Sequence, residues 1–257
     1  MNTAKTLVCF GDSITEGVIG ASYVDIVRET LPGVRVINAG VNGDTVIHLL
    51  RRVERDVIAH QPDVVTIMVG LNDLTTVYGL RSSKAYYHAL KNLHTQVAPR
   101  RFIHAYRQLI RELRARTHAQ LALCTLTTVG EDPADPVQHL VEGYSLIVRG
   151  IAAQEGLPLI DVRAAFAQAL VAEPRIGPEY RIWVPVQDAL AIAWRGASYA
   201  GLSQQRGYRL LCDGAHLAPA GAALVAETML PTVRAMLGEA GGTEVSSQES
   251  GVRNLGV

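Results

Sequence analysis

Five short apolar runs constrain this chain more than any other feature. They lie at residues 6–10, 34–38, 63–69, 120–126 and 157–162. Near-continuous hydrophobicity over so few residues is the pattern of strands buried on both faces. Helical patterns separate them: residues 23–30, a stretch with Val46, Leu49, Leu50, Val53 and Val57 on one face, then 102–117, 137–155 and 163–172. Asp44 and Thr45 are good N-cap residues for the second of these. A last helical pattern covers 218–237, with Pro219 in the first-turn position. Strand, loop and helix in repetition predict an α/β fold, a parallel sheet with helices on both faces. Ligands in such folds sit beyond the carboxyl ends of the strands. The loops after the first three runs, Gly11-Asp12-Ser13, 39–45 and Gly70-Leu71-Asn72-Asp73, therefore share one rim.

At 257 residues the chain suits one domain, expected at 1–238. Two irregular stretches interrupt the alternation, about 74–101 and 173–211. The second holds both tryptophans, Trp183 and Trp194. A loop of that length in a domain is usually functional or carries its own structure. Its aromatics make it a structural flap, a substrate wall or a contact with a second copy of the chain. Residues 239–257, rich in Gly, Ser and charge, are expected to be a disordered tail.

Twenty-four basic residues balance 24 acidic ones, so no basic field exists to attract nucleic acid. No apolar run is long enough to span a bilayer, and no leader-type segment precedes the first strand, which makes a cytoplasmic location the expectation. The three cysteines, Cys9, Cys124 and Cys212, show neither a disulfide framework nor zinc spacing and are read as packing residues. His48, His60, His88, His94, His104, His118 and His139 lie at no metal-ligand spacing and are read as surface or boundary residues.

The chemistry lies in the loops. Asp213-Gly214-Ala215-His216 puts a carboxylate and an imidazole on one short loop before the last helix. That pair suits a base and its orienter, and Ser13, between a strand and a helix, is the candidate nucleophile. A main-chain N–H at Ser13, one at Gly43 and the Asn72 side-chain amide would make a three-donor oxyanion hole. Asp12 and Asp73 are read as carboxylates that hold loop N–H groups, and Asp44 as a cap.

Taken together, Gly11-Asp12-Ser13-Ile14, Gly43 within 38–45, Gly70-Leu71-Asn72-Asp73 and Asp213-Gly214-Ala215-His216-Leu217 resemble, in order, the four blocks of the SGNH hydrolases, also called GDSL esterases/lipases. Ile14 stands where the name-giving motif has Leu. The resemblance implies a flavodoxin-like three-layer α/β/α fold with about five parallel strands. It also implies hydrolysis of small-molecule carboxylic esters, or sometimes thioesters, without metal or organic cofactor. Carried over by position, Ser13 is the nucleophile, His216 the base and Asp213 its orienter, and Ser13, Gly43 and Asn72 form the oxyanion hole.

A short-chain carboxylesterase is the first reading. A carbohydrate acetylesterase, with Trp183 and Trp194 as a wall against a sugar ring, is the second; a thioesterase or lysophospholipase is the third. A silent binding module of the same fold is the non-enzyme alternative. A nucleotide-binding reading lacks a glycine-rich phosphate loop after the first strand.

Overall fold

The strands form where the apolar runs lie. A computed structural model describes residues 4–79, 81–175 and 197–238. The strands are β1 (Thr6–Gly11), β2 (Arg35–Gly40), β3 (Val64–Met68), β4 (Gln120–Cys124) and β5 (Leu159–Ile160). All pair in parallel, in the order β2-β1-β3-β4-β5. Successive side chains point to opposite faces of the sheet. Val8, Phe10, Val65, Ile67, Leu121 and Leu123 thus enter one core, and Leu7, Cys9, Val64, Met68, Ala122 and Cys124 the other.

Helices cover both faces. The first core is closed by α3 (Val46–Asp56), α4 (Leu71–Tyr78), α5 (Arg81–Ala89), α6 (Pro99–Arg116) and α7 (Val137–Glu155). The second is closed by α2 (Tyr23–Thr30), α8 (Val162–Ala172) and α10 (Pro219–Leu237). The result is the three-layer α/β/α arrangement. A single-turn helix, α1 (Ser13–Glu16), follows β1, and α9 (Tyr199–Gln205) precedes the Asp213–His216 loop. Among the described residues no helix is long and apolar enough to cross a membrane.

Chain direction reverses about β1: β2 lies on one side and β3 on the other. At such a switch the loops leaving neighbouring strands diverge and open a crevice. The segments that follow β1, β2 and β3 carry Ser13, Gly43 and Asn72 within a few residues of the strand ends, so topology brings these three to one rim.

Several boundaries differ from expectation for local reasons. β5 is two residues long because Asp161 leaves the strand to cap α8, its side chain accepting the Ala164 N–H at 3.2 Å. α6 starts at Pro99 rather than 102, since a proline in the first turn gives up no helical hydrogen bond. The stretch 74–101 is not irregular: it contains most of α4, α5 and the start of α6. Thr45, not Asp44, is the N-cap of α3. The tail 239–257, with Trp183 and Trp194, lies outside the described residues.

Arg52 of α3 ties the rim together. Its guanidinium donates to the main-chain oxygens of Gly11 (2.7 Å) and Ala39 (2.8 Å), the ends of β1 and β2. It also pairs with Asp44 (2.7 Å) and Asp56 (2.9 Å), and it lies 4.7 Å from the centre of the Phe10 ring. Lys91 gives Asp44 a second cation at 2.5 Å. Removing one partner of a buried ion pair strands the other. Arg52→Ala is therefore expected to destabilise the fold by about 3 kcal/mol in urea unfolding. A loss below about 1 kcal/mol, the range of a surface pair, would contradict this role.

Candidate active site

The end of β1 makes the nucleophile's position. Asp12 caps α1, its carboxylate accepting the Ile14 N–H at 3.0 Å, and Ser13 is the first helical residue, buried at 7% exposure. A one-turn helix has little dipole, so the charge-stabilising groups at Ser13 are its own N–H and its neighbours' donors. Gly11 has no room for a side chain: a Cβ would lie 2.5 Å from the Met68 carbonyl oxygen.

The base comes from 203 residues further along. Leu211 and Leu217 form an antiparallel bridge, the Cys212 N–H donates to the His216 carbonyl at 2.8 Å, and Ala218 N–H to that of Leu210 at 2.8 Å. This narrow hairpin carries Asp213 and His216 at its tip. Asp213 Oδ1 accepts the main-chain N–H groups of Ala215 (2.9 Å) and His216 (2.8 Å). Its other oxygen, Oδ2, lies 2.7 Å from His216 Nδ1, and His216 Nε2 lies 3.1 Å from Ser13 Oγ. Burial alone would raise the Asp213 pKa, but the His216 imidazole and the two N–H groups outweigh it and hold the carboxyl below its usual range. An ionised carboxylate only accepts, so Nδ1 carries the imidazole proton and the Nε2 lone pair faces the serine. That is the arrangement in which an imidazole can take a hydroxyl proton.

The three expected oxyanion donors converge unequally. Among the described residues the N–H groups of Ser13 and Gly43 have no acceptor. Gly43 has φ +73°, a conformation that favours glycine, and a Cβ there would also press on the Tyr86 hydroxyl at 2.4 Å. The Asn72 amide already donates twice, to Asp12 Oδ2 (3.2 Å) and to the Asp44 carbonyl (3.0 Å). Tyr87 donates to Asn72 Oδ1 at 2.6 Å and fixes which way the amide faces. An oxyanion would therefore share the Asn72 donor with Asp12, the longer of the two contacts.

The remaining acids behave as expected, with one exception. Asp73, fully buried, accepts the Val46 N–H at 3.1 Å and holds the start of α3. Asp12 holds Ile14 and Asn72. Asp44 is an ion-pair partner and not a cap. His48, expected at the surface or its boundary, is buried: it is 8% exposed, its Nδ1 accepts the Thr45 N–H at 3.0 Å and its Nε2 lies 2.7 Å from the Lys91 carbonyl. Burial lowers its pKa. Cys9, Cys124 and Cys212 are buried, and burial pushes the Cys9 thiol up to about 11. Among the described residues no cluster of three or more His, Cys, Asp or Glu can hold a metal ion.

Sequence reasoning assigned no roles to the individual residues of α5 and the loop after it. Tyr86 covers Gly43, Tyr87 orients Asn72, and Lys91 reaches the Asn42 carbonyl at 2.7 Å as well as Asp44. The three tyrosines of 74–101 were the available signal.

A family model described as the GDSL-like lipase/acylhydrolase family matches residues 9–180. The chain belongs to that family. It is a carboxylic ester hydrolase of the SGNH/GDSL type. It is similar to an acetylxylan esterase of Geobacillus stearothermophilus, 29% identical over 188 residues, which cover 66% of this chain and 81% of that protein. The crystal structure of an acetylxylan esterase from the same organism superposes with a TM-score of 0.63 at 26% identity, covering 89% of this chain and 94% of the other. The acetyl xylan esterase AlAXEase superposes with a TM-score of 0.62 at 25% identity, covering 89% and 99%.

Asp12 generates a pH prediction. Burial raises its pKa from 3.8 to about 7, against the pull of the Ile14 N–H, His216 and Asn72. The folded state then holds this proton more tightly than the unfolded chain. The stabilisation is complete below the unfolded value and is lost as pH rises from about 4 to about 7. Asp213, whose pKa is lowered, has the opposite sign, so the Asp12 contribution must be isolated by difference. Wild type should lose more stability than Asp12→Asn between these pH values in urea unfolding. Equal losses would mean that Asp12 ionises normally in the fold.

Proposed function

We propose that this chain cleaves short-chain carboxylic esters, acetyl esters first, through a Ser13–His216–Asp213 triad and an acyl-enzyme. One observation carries the reading: the continuous hydrogen-bonded chain from Ser13 Oγ to His216 Nε2 (3.1 Å) and from His216 Nδ1 to Asp213 Oδ2 (2.7 Å). Ser13 Oγ attacks the ester carbonyl carbon as Nε2 takes its proton. The carbonyl oxygen, now negative, is met by the N–H groups of Ser13 and Gly43 and by the Asn72 amide. The imidazolium, stabilised by Asp213, returns the proton to the departing alkoxide, and the alcohol leaves. Water, deprotonated by the same nitrogen, then attacks the acyl carbon, and the acid departs as Ser13 regains its proton.

A second reading concerns the alcohol. The similar proteins described above are acetylxylan esterases. That favours an acetylated carbohydrate as the physiological ester, with the sugar hydroxyl as leaving group. The acyl group would then be small whatever the alcohol.

Hydrolysis of p-nitrophenyl esters from acetate to palmitate tests the first reading. Rates should be highest with acetate and fall with chain length, and Ser13→Ala should lower kcat by roughly 10³-fold or more while remaining folded. A variant that turned over near the wild-type rate would overturn the triad; a palmitate preference would overturn the acyl assignment. Acetylated xylo-oligosaccharides test the second reading: acetate release with a kcat/KM above that for p-nitrophenyl acetate supports it, and no release contradicts it.

A further inference from the structure

The Asp213–His216 hairpin is held from outside by a residue that no part of the reaction touches. Glu131 lies in the loop after β4 and is 1% exposed. Its carboxylate accepts three successive main-chain N–H groups: Arg209 on both oxygens (3.0 Å each), Leu210 (2.6 Å) and Leu211 (2.7 Å). These residues are 78 to 80 positions away in sequence. They form the segment that leads into the hairpin. The neighbouring Gly130 N–H donates to the carbonyl of Gly214, at the hairpin tip, at 2.8 Å. Gly130 has φ +69°, which turns the loop so that adjacent residues reach opposite ends of the hairpin.

We propose that Glu131 is the positioning residue of the acid–base loop: its carboxylate, standing in for a partner strand, holds residues 209–211 so that His216 Nε2 stays on Ser13 Oγ. The inference rests on the triad reading above. The chemistry favours a carboxylate. All three N–H groups converge on Oε1 and the Arg209 N–H also meets Oε2, so the acceptor that suits them carries charge and no hydrogen. A glutamine could keep one oxygen on the three N–H groups, but as a neutral and weaker acceptor, and its NH2 would face the Arg209 N–H donor to donor; an aspartate is one methylene shorter. The base of the hairpin would then be free to shift, and its tip with it. A displacement of about 1 Å at a reacting group costs on the order of a hundredfold in rate.

The test compares Glu131→Gln and Glu131→Asp with wild type. A remote control, Tyr144→Phe, removes the buried hydrogen bond from Tyr144 to the Val97 carbonyl on the far face of the sheet from the hairpin. Three readouts are taken: kcat and KM on p-nitrophenyl acetate, the thermal midpoint, and the downfield proton resonance of His216 Nδ1–H. Glu131→Gln is expected to lower kcat by about tenfold to a hundredfold. Its KM should stay within about twofold, because the contacts to bound ester are left in place. Its downfield resonance should broaden or vanish. Glu131→Asp is expected to show the same changes in smaller measure, and it carries the test if the glutamine variant does not fold. Tyr144→Phe should lower the midpoint with kcat and the resonance unchanged. A folded Glu131 variant with wild-type kcat and an unchanged resonance would overturn the proposal. If wild type itself lacks the resonance, or Ser13→Ala turns over, the triad reading fails first and this inference with it.

Discussion

Where strands end at the carboxyl edge of a parallel sheet, their last main-chain groups lose their strand partners, and buried polar groups left unpaired are costly. In this chain buried Arg, Asp and Glu side chains pair those groups and the unpartnered N–H groups of the turns and helices beside them. Arg52 accepts the duty for the carbonyls of Gly11 and Ala39. Asp12 holds the Ile14 N–H, Asp73 that of Val46, and Glu131 those of residues 209–211. Each bond fixes a loop that carries a reacting or stabilising group. The rim is rigid because leaving any one of these partners unsatisfied, away from water, is unfavourable.

The same bonds decide the electrostatics of the site. Asp213 is lowered because its two oxygens are divided between main-chain N–H groups and the imidazole, which leaves its charge intact beside the base. Asp12 is raised because burial outweighs its donors. Two aspartates at one rim thus titrate in opposite directions, each according to its partners. Asn72 links the two halves: it touches Asp12 and the Asp44 carbonyl, and Tyr87 sets its orientation. Asp44 in turn is neutralised by Arg52 and Lys91, so the loop bearing Gly43 is braced from α3 and from the segment after α5.

What the sequence made legible follows from which interactions leave a pattern. Burial in a sheet imposes apolar runs, and those located all five strands and the three-layer fold. Loop position after a strand located Ser13, Gly43 and Asn72 on one rim, and the Asp213–His216 spacing supplied the partners now seen within hydrogen-bond reach. Side-chain to main-chain bonds impose no period. Nothing in the sequence sets Glu131 or Arg52 apart from other charged residues, and His48 reads as a surface or boundary residue, although all three are buried. The extent of α5 is hard to read for a related reason: its rim-facing side chains are tyrosines, which break a simple apolar stripe. β5 was overextended because Val162 continues the apolar run while Asp161 has already begun the next helix.

The most direct measurement of the central claim is covalent labelling with an alkyl phosphonate, mapped by mass spectrometry. A serine whose proton is taken by His216, with an oxyanion site beside it, reacts with such a reagent, and an ordinary buried serine does not. The account predicts one equivalent of label on Ser13, with loss of esterase activity in proportion, and a much slower reaction in His216→Ala. An active enzyme that resists labelling, or carries its label on another serine, would contradict it.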